Sequence, residues 1–261
     1  MSLYEVLRDA IRAEEPVALA SMVDGPRPGA ALLVRPDHDA LGTLGHADLD
    51  RVVIRDALAE LTAGNTTMRH YGAHGEARRQ DVAVFVQSFA PPPRLILFGA
   101  VDFTAALVNV GKTLGYRVTV CDARAVFATH QRFPQADEVV VDWPDRYLAK
   151  VGEQLTSRDA VCVLTHDHKF DVPAIQAALD TNVGYLGAMG SRRTNSARLA
   201  RLRSAGVEKA RLERVMAPIG LDIGARTPEE TAVSICAEII AHRTGRPAPS
   251  LRGRDGPIHP R

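Results

Sequence analysis

Residues 94–104 read Arg94-Leu95-Ile96-Leu97-Phe98-Gly99-Ala100-Val101-Asp102-Phe103-Thr104. An unbroken apolar run of strand length is stopped by a glycine, and a helical pattern from Phe103 to Leu114 follows it. The same rhythm continues downstream. Tyr116 to Cys121, Asp137 to Val141, Ala160 to Leu164 and Val183 to Leu186 read as further strands, and Val172 to Leu179 as a helix. Near-continuous apolar strands separated by helices predict a parallel sheet buried on both faces. The fold class expected is therefore α/β, a Rossmann-like doubly wound sheet.

Upstream of this stretch, Pro91-Pro92-Pro93 marks a boundary, because three prolines continue neither a helix nor a central strand. Residues 1–90 read as a smaller α+β domain. It has a helix over Leu3 to Ala13 and a strand over Pro16 to Val23. A turn at Gly25 to Gly29 leads to a returning strand over Ala30 to Val34. A helix over Leu49 to Ala63 ends at Gly64, and a strand follows over Asp81 to Ser88. Residues 94–246 form the Rossmann-like domain. Its last helix runs from Thr227-Pro228-Glu229-Glu230, a capping box with proline at the first helical position, to Arg243. Residues 247–261, rich in Pro, Gly and Arg, are expected to form a flexible tail.

Composition limits the possible functions. Hydrophobic residues make up 46% and charged residues 24%, enough to build a core. The formal net charge is +1, without the basic excess of a nucleic-acid binder, although Arg192 to Arg214 is locally arginine-rich. Cys121, Cys162 and Cys236 form no CxxC pair, which argues against a disulfide framework or a cysteine zinc site. No run approaches the ~20 apolar residues of a membrane span, and the amphipathic start lacks a signal-peptide core. The cytoplasm is the expected compartment, and a homodimer the expected assembly from the frequency of two-fold oligomers.

The chemistry collects at the expected carboxyl ends of the strands. A dinucleotide fingerprint needs glycines at 99, 101 and 104, and only Gly99 is present. Val101 crowds the backbone, and Asp102 puts negative charge where a phosphate would sit. Asp102 either caps the helix or belongs to a ligand site of altered specificity. Asp122 and Arg124 follow the second strand, where a Rossmann domain meets a ribose or a phosphate; a surface pair is the alternative. After the fourth strand come His166, His168 and Asp171. If the chain stays extended there, the two histidines share a side and could meet a ligand or metal. The alternative is a polar loop with Asp171 capping the next helix. Gly190, Ser191, Arg192 and Arg193 follow the fifth strand and suit an anionic group, unless they are simply a solvated basic face. Gly220, in Pro218 to Ala225, belongs either to a site wall or to packing. No catalytic residue and no metal ligand is assigned.

Five segments together resemble the xanthine dehydrogenase accessory (XdhC/CoxI-like) family: Leu95 to Gly99, Gly115 to Arg124, Leu164 to Asp171, Tyr185 to Thr194, and Ala217 to Glu230. The resemblance implies a protein that binds molybdenum cofactor, as molybdopterin or its dinucleotide form. It further implies help with the cofactor's sulfuration and its insertion into a xanthine dehydrogenase/CO dehydrogenase-type molybdenum hydroxylase. The implied partners are the apoenzyme and a cysteine desulfurase, with no nucleic acid and no membrane. The cofactor contacts expected are Gly99, Asp102, Asp122, Arg124, His166, His168, Asp171, Gly190, Ser191, Arg192, Arg193 and Gly220. The rival readings are an NAD(P)-binding oxidoreductase and a protein-only chaperone with a vestigial pocket. The N-terminal domain departs from the family's Ser-Gly-Gly-Cys-Val-Glu segment. Gly42-Thr43-Leu44-Gly45-His46-Ala47-Asp48 stands there, with no cysteine and no glutamate in register.

Overall fold

The computed structural model describes residues 2–77 and 79–252; residues 253–261 of the predicted tail lie outside the described residues. The chain divides into two compact units, Met1–Pro92 and Pro93–Arg261.

The first unit contains α1 (Leu3–Arg12), β1 (Val17–Asp24), β2 (Ala31–Val34), β3 (Leu41–Gly42), α2 (Ala47–Ala63), β4 (Thr67–Tyr71) and β5 (Val82–Phe89). Its strands form an antiparallel sheet in the order β3-β2-β1-β5-β4. Alternation divides the sheet between two helices. Ala18, Ala20 and Met22 of β1 join Val82, Val84 and Val86 of β5 in the core under α2, whose Leu49, Val53, Ala57 and Leu61 close it. Val17 of β1 and Leu33 of β2 face the other way and pack with Val6 and Ala10 of α1. The short edge strands β3 and β4 lack an apolar run and were not expected. Of β4 only Tyr71 is buried, so its pairing with β5, not hydrophobicity, makes it a strand.

The second unit contains β6 (Arg94–Phe98), α3 (Asp102–Thr113), β7 (Arg117–Cys121), β8 (Glu138–Val140), α4 (Pro144–Val151), β9 (Ala160–Val163), α5 (His168–Leu179), β10 (Tyr185–Ala188), α6 (Arg192–Ser204), α7 (Lys209–Leu212), β11 (Val215–Met216) and α8 (Pro228–Thr244). All six strands are parallel, in the order β11-β10-β9-β6-β7-β8. Leu95 and Leu97 of β6 face a core closed by α3 and α8. Ile96 and Phe98 face a second core closed by α4, α5 and α6. A strand buried on both faces must be apolar at every position, which is why β6 shows no alternation. The chain is thus an antiparallel α+β domain followed by a Rossmann-like α/β domain.

From β6 the chain builds outward through β7 to β8, then crosses back to place β9 on the other side of β6. The topological switch point lies between β6 and β9, where open α/β sheets hold ligands. Among the described residues no helix is long and apolar enough to cross a membrane.

Two boundaries and one helix stand out against expectation. The helix α5 starts at His168, not Val172, and Asp167 caps it. The strand β10 is displaced toward Ala188, because Gly184 is pressed against the Ser157 backbone and pairing begins at Tyr185. The helix α4 was unexpected; it opens at Pro144 behind a tryptophan that offers no side-chain cap.

Candidate functional site

The carboxyl edge of the parallel sheet is made from the turns that follow β6, β7, β9 and β10. Gly99 ends β6 with φ +115°, and a Cβ there would stand 2.7 Å from Thr165 Cγ2 across the switch point. Only glycine meets both demands. The Thr104 hydroxyl donates to the Gly99 carbonyl at 2.6 Å, and the Val101 amide donates to that hydroxyl at 3.2 Å. The N-cap of α3 is Val101, which has no acceptor; Asp102 is the first helical residue and is exposed. The sequence reading of Asp102 as the cap is therefore corrected by one position.

Asp122, at the end of β7, is buried, and both of its oxygens are engaged. The Ala100 amide donates to Oδ2 at 2.8 Å, and the Arg124 amide to Oδ1 at 2.9 Å. The Arg124 guanidinium donates to both oxygens, at 2.9 and 2.8 Å. Burial works against the charge, but the guanidinium and the two amides outweigh it and hold the carboxyl below its ordinary value. Arg124 also lies over the Phe127 ring, 4.5 Å from its centroid. The two residues form the pair that was one of the sequence readings, with Asp122 buried rather than at the surface.

After β9, Asp167 accepts from the Lys169 amide at 3.0 Å and starts α5. The extended chain on which a shared side for His166 and His168 depended ends there. Both histidines are exposed, and His168 Nδ1 is 3.7 Å from the Asp167 carboxylate. Asp171 is not a cap. It is 2% exposed and lies inside α5, where it meets Arg198, 3% exposed, from α6. Arg198 Nη2 donates to Asp171 Oδ2 at 2.7 Å and to the Met189 carbonyl at 2.8 Å. The Thr165 hydroxyl donates to Asp171 Oδ1, and Arg198 Nη1 donates to Asn195 Oδ1. Asn195 Nδ2 donates to the Gly190 carbonyl at 3.2 Å. One buried ion pair therefore ties the turn after β9 to the turn after β10.

That network was missed in the sequence, where Arg198 counted only as one more positive charge. The signal was present in the spacing: Ser191, Asn195, Arg198 and Leu202 fall at i, i+4, i+7 and i+11, one face of a helix. An arginine on a helix's buried face must be paired.

Ser191 caps α6 by accepting from the Thr194 amide at 3.1 Å. Arg192 and Arg193 open the helix, exposed and without an acidic partner among the described residues, and the first turn carries no acid. Gly220 sits elsewhere, against α8. Its amide donates to Glu238 at 2.8 Å, and a Cβ there would stand 2.5 Å from Ser234 Oγ. Its segment packs the last helix onto the sheet.

Cys121, Cys162 and Cys236 are all buried. Burial pushes the Cys121 and Cys236 thiols up to about 12 and Cys162 well above its ordinary value. None is activated as a nucleophile. Among the described residues no group of three or more His, Cys, Asp or Glu side chains is placed to hold a metal ion.

Residues 95–239 match the family described as the XdhC Rossmann domain, and residues 10–72 match the XdhC and CoxI family. A Bacillus subtilis protein, named as a probable component of xanthine dehydrogenase, is 37% identical over 164 residues, covering 63% of this chain and 47% of that one. The Escherichia coli molybdenum cofactor insertion chaperone PaoD is 34% identical over 159 residues, covering 61% and 43%. The chain spans a little under half the length of the curated relatives it matches. A Bacillus halodurans crystal structure described as a xanthine dehydrogenase shares the fold, with a TM-score of 0.55 at 21% identity, covering 96% of this chain and 98% of that one.

Proposed function

The chain belongs to the XdhC and CoxI family, and from that premise we propose that it holds a molybdenum cofactor of the molybdopterin type and delivers it to a molybdenum hydroxylase apoenzyme. The observation that carries the reading is the start of α6. Two exposed, unpaired arginines stand where backbone amides already favour an anion. A phosphate-bearing group fits there. It does not fit the turn after β6, where Val101 and Asp102 stand.

In this reading Arg192 and Arg193 hold the phosphate end of the cofactor beside Ser191 and Gly190. His166 and His168 border the same edge from the turn after β9. Asp171 acts at one remove, by holding Arg198 and so fixing both turns. Asp122 and Arg124 likewise shape the edge through Ala100. Gly99 gives the close approach of backbone at the switch point, and Asp102 turns anions away from the first turn. Gly220 contributes only by seating α8. The cofactor, when bound, supplies the redox chemistry of the client enzyme; the chain's own part is to bind and shield it.

The finer assignment is a role in sulfuration before insertion, with a cysteine desulfurase as second partner. The three thiols of this chain are buried and protonated, so none relays sulfur, and the desulfurase serves the cofactor directly. The client is a hydroxylase of the xanthine dehydrogenase or CO dehydrogenase type. The carrier is a cytoplasmic homodimer.

The test is purification from a host that makes molybdopterin, followed by pterin fluorescence and molybdenum content of the released material. Stoichiometric pterin, lost in Arg193→Ala, is the expected result. No pterin, together with thermal stabilisation by NADPH, would overturn it in favour of an NAD(P)-binding protein. Capture of the client that survives replacement of every residue named above would favour a protein-only chaperone. Asp122 already counts against the nicotinamide reading, because its oxygens are taken by Ala100 and Arg124 and it offers none freely to a ribose.

A further inference from the structure

Trp143 is the chain's only tryptophan. It occupies the N-cap of α4, a position that favours Ser, Thr, Asp or Asn, and it makes no side-chain cap there. Its indole stacks on the Phe170 ring in the first turn of α5, with centroids 4.7 Å apart and planes 27° apart. Even so, Trp143 remains 38% exposed. Among the described residues no acceptor meets its indole N–H.

Its neighbours place the stack. The Cys121 thiol at the end of β7 donates to the carbonyl of Asp142, the residue before Trp143, at 3.4 Å. Phe170 follows the Asp167 cap of α5. Trp143 follows β8 and Phe170 follows β9, so the two rings stand on the carboxyl side of the sheet, where the chain leaves its strands to enter α4 and α5. A stack serving only to join α4 to α5 needs neither a half-open indole nor a spare hydrogen-bond donor. Phenylalanine would do that work.

We propose that Trp143, held flat by Phe170, is the stacking wall for the planar ring system of the bound cofactor, its pterin end. The proposal rests on the carrier reading above and extends it. The arginines of α6 take the anionic end, and the aromatic pair takes the flat end. Aromatic stacking tolerates any planar heterocycle, so a simple pterin without phosphate binds weakly at the same wall.

A single tryptophan gives a single probe. The full chain is labelled with 5-fluorotryptophan, and its one ¹⁹F resonance is followed during titration with molybdopterin and with 6-carboxypterin. Cofactor binding is measured separately by ultrafiltration. The expected result is a ring-current shift that saturates with bound molybdopterin. Trp143→Ala should weaken binding about tenfold and Trp143→Phe by less than about threefold, both with unchanged circular dichroism. Phe170→Leu, which leaves the indole but frees its plane, serves if Trp143→Ala is poorly folded, and should weaken binding about threefold. Stoichiometric molybdopterin binding with an unmoved resonance and wild-type affinity in the variants overturns the stacking wall and leaves the carrier reading intact. No retention of molybdopterin by the wild-type chain overturns the carrier reading, and the stacking wall with it.

Discussion

The turn after β6 and the turn after β10 share one plan and carry opposite charge. Each ends a buried parallel strand, passes through a glycine with positive φ, and opens a helix of twelve or thirteen residues. At α3 the cap is a valine and the first helical residue is Asp102. At α6 the cap is Ser191, followed by Arg192 and Arg193. The backbone amides are equally attractive to an anion in both places, so the side chains decide. A Rossmann-like sheet therefore does not fix where its phosphate goes. In this chain the side chains of the first turn are acidic and disfavour an anion, and those of the fifth strand's turn are basic and favour one.

The largest effect expected is from breaking the anchor of the β10 turn. Arg198→Ala leaves Asp171 charged, buried and unpaired, and should cost about 3–5 kcal/mol in stability, read by urea denaturation. The paired replacement Asp171→Leu with Arg198→Met should recover most of the loss. If the double variant is no more stable than the single, the pair is not what holds the two turns together.

The matching change in the β6 turn is Gly99→Val. It meets both a φ of +115° and the Thr165 methyl, and should cost on the order of 1–3 kcal/mol. An unchanged denaturation midpoint would show that the switch point is looser than the close packing of Gly99 on Thr165 implies.

Arg193→Ala tests charge alone. It should leave stability within about 0.5 kcal/mol and weaken molybdopterin binding roughly tenfold, with the loss shrinking as salt is added. Wild-type affinity in this variant would remove the contrast between the two turns.

The smallest effect is a pH dependence carried by Asp122. The folded chain keeps this carboxylate ionised to lower pH than the unfolded chain does, so the unfolded state takes up its proton first as acid is added. Its contribution is fully present above the unfolded value of about 3.9 and is lost as pH falls through the lower folded value. Asp122→Asn should flatten the fall of stability in that acidic window and change nothing in slope near neutrality. A stability–pH curve identical to wild type below pH ~4 would mean that the Arg124 and Ala100 contacts are matched in the unfolded chain.

The two turns also differ in how far they could be read in advance. The missing glycines and Asp102 after β6 are local features, and the negative conclusion about a dinucleotide stood on them. The capping box at Thr227 was legible for the same reason, since all its parts lie within four residues, and the Glu230 amide meets the Thr227 hydroxyl at 3.2 Å. The role of Asp171 was not legible, because its partner lies 27 residues away on another helix. His168 looked like the partner of His166 because alternation was assumed for a stretch that Asp167 turns into a helix. The stack of Trp143 on Phe170 was not legible, since each alone is an ordinary aromatic residue and only the docking of α4 on α5 brings them together.

Sequence by itself determined the doubly wound sheet, the break at Pro91-Pro92-Pro93, the family, and the arginine pair that opens α6. The sheet, the break and the arginine pair follow from periodicity, chain stiffness and charge, which act over a few residues and need no partner, and the family rests on the resemblance of five sequence segments. Tertiary structure alone decided that Asp122 and Asp171 are clamps engaged at both oxygens, that Arg198 is a buried counter-ion, and that the lone tryptophan stands stacked at the carboxyl side of the sheet. Each of these depends on what a side chain meets across the fold. Burial and pairing set the state of a charged or aromatic group, and they exist only once distant segments are packed together.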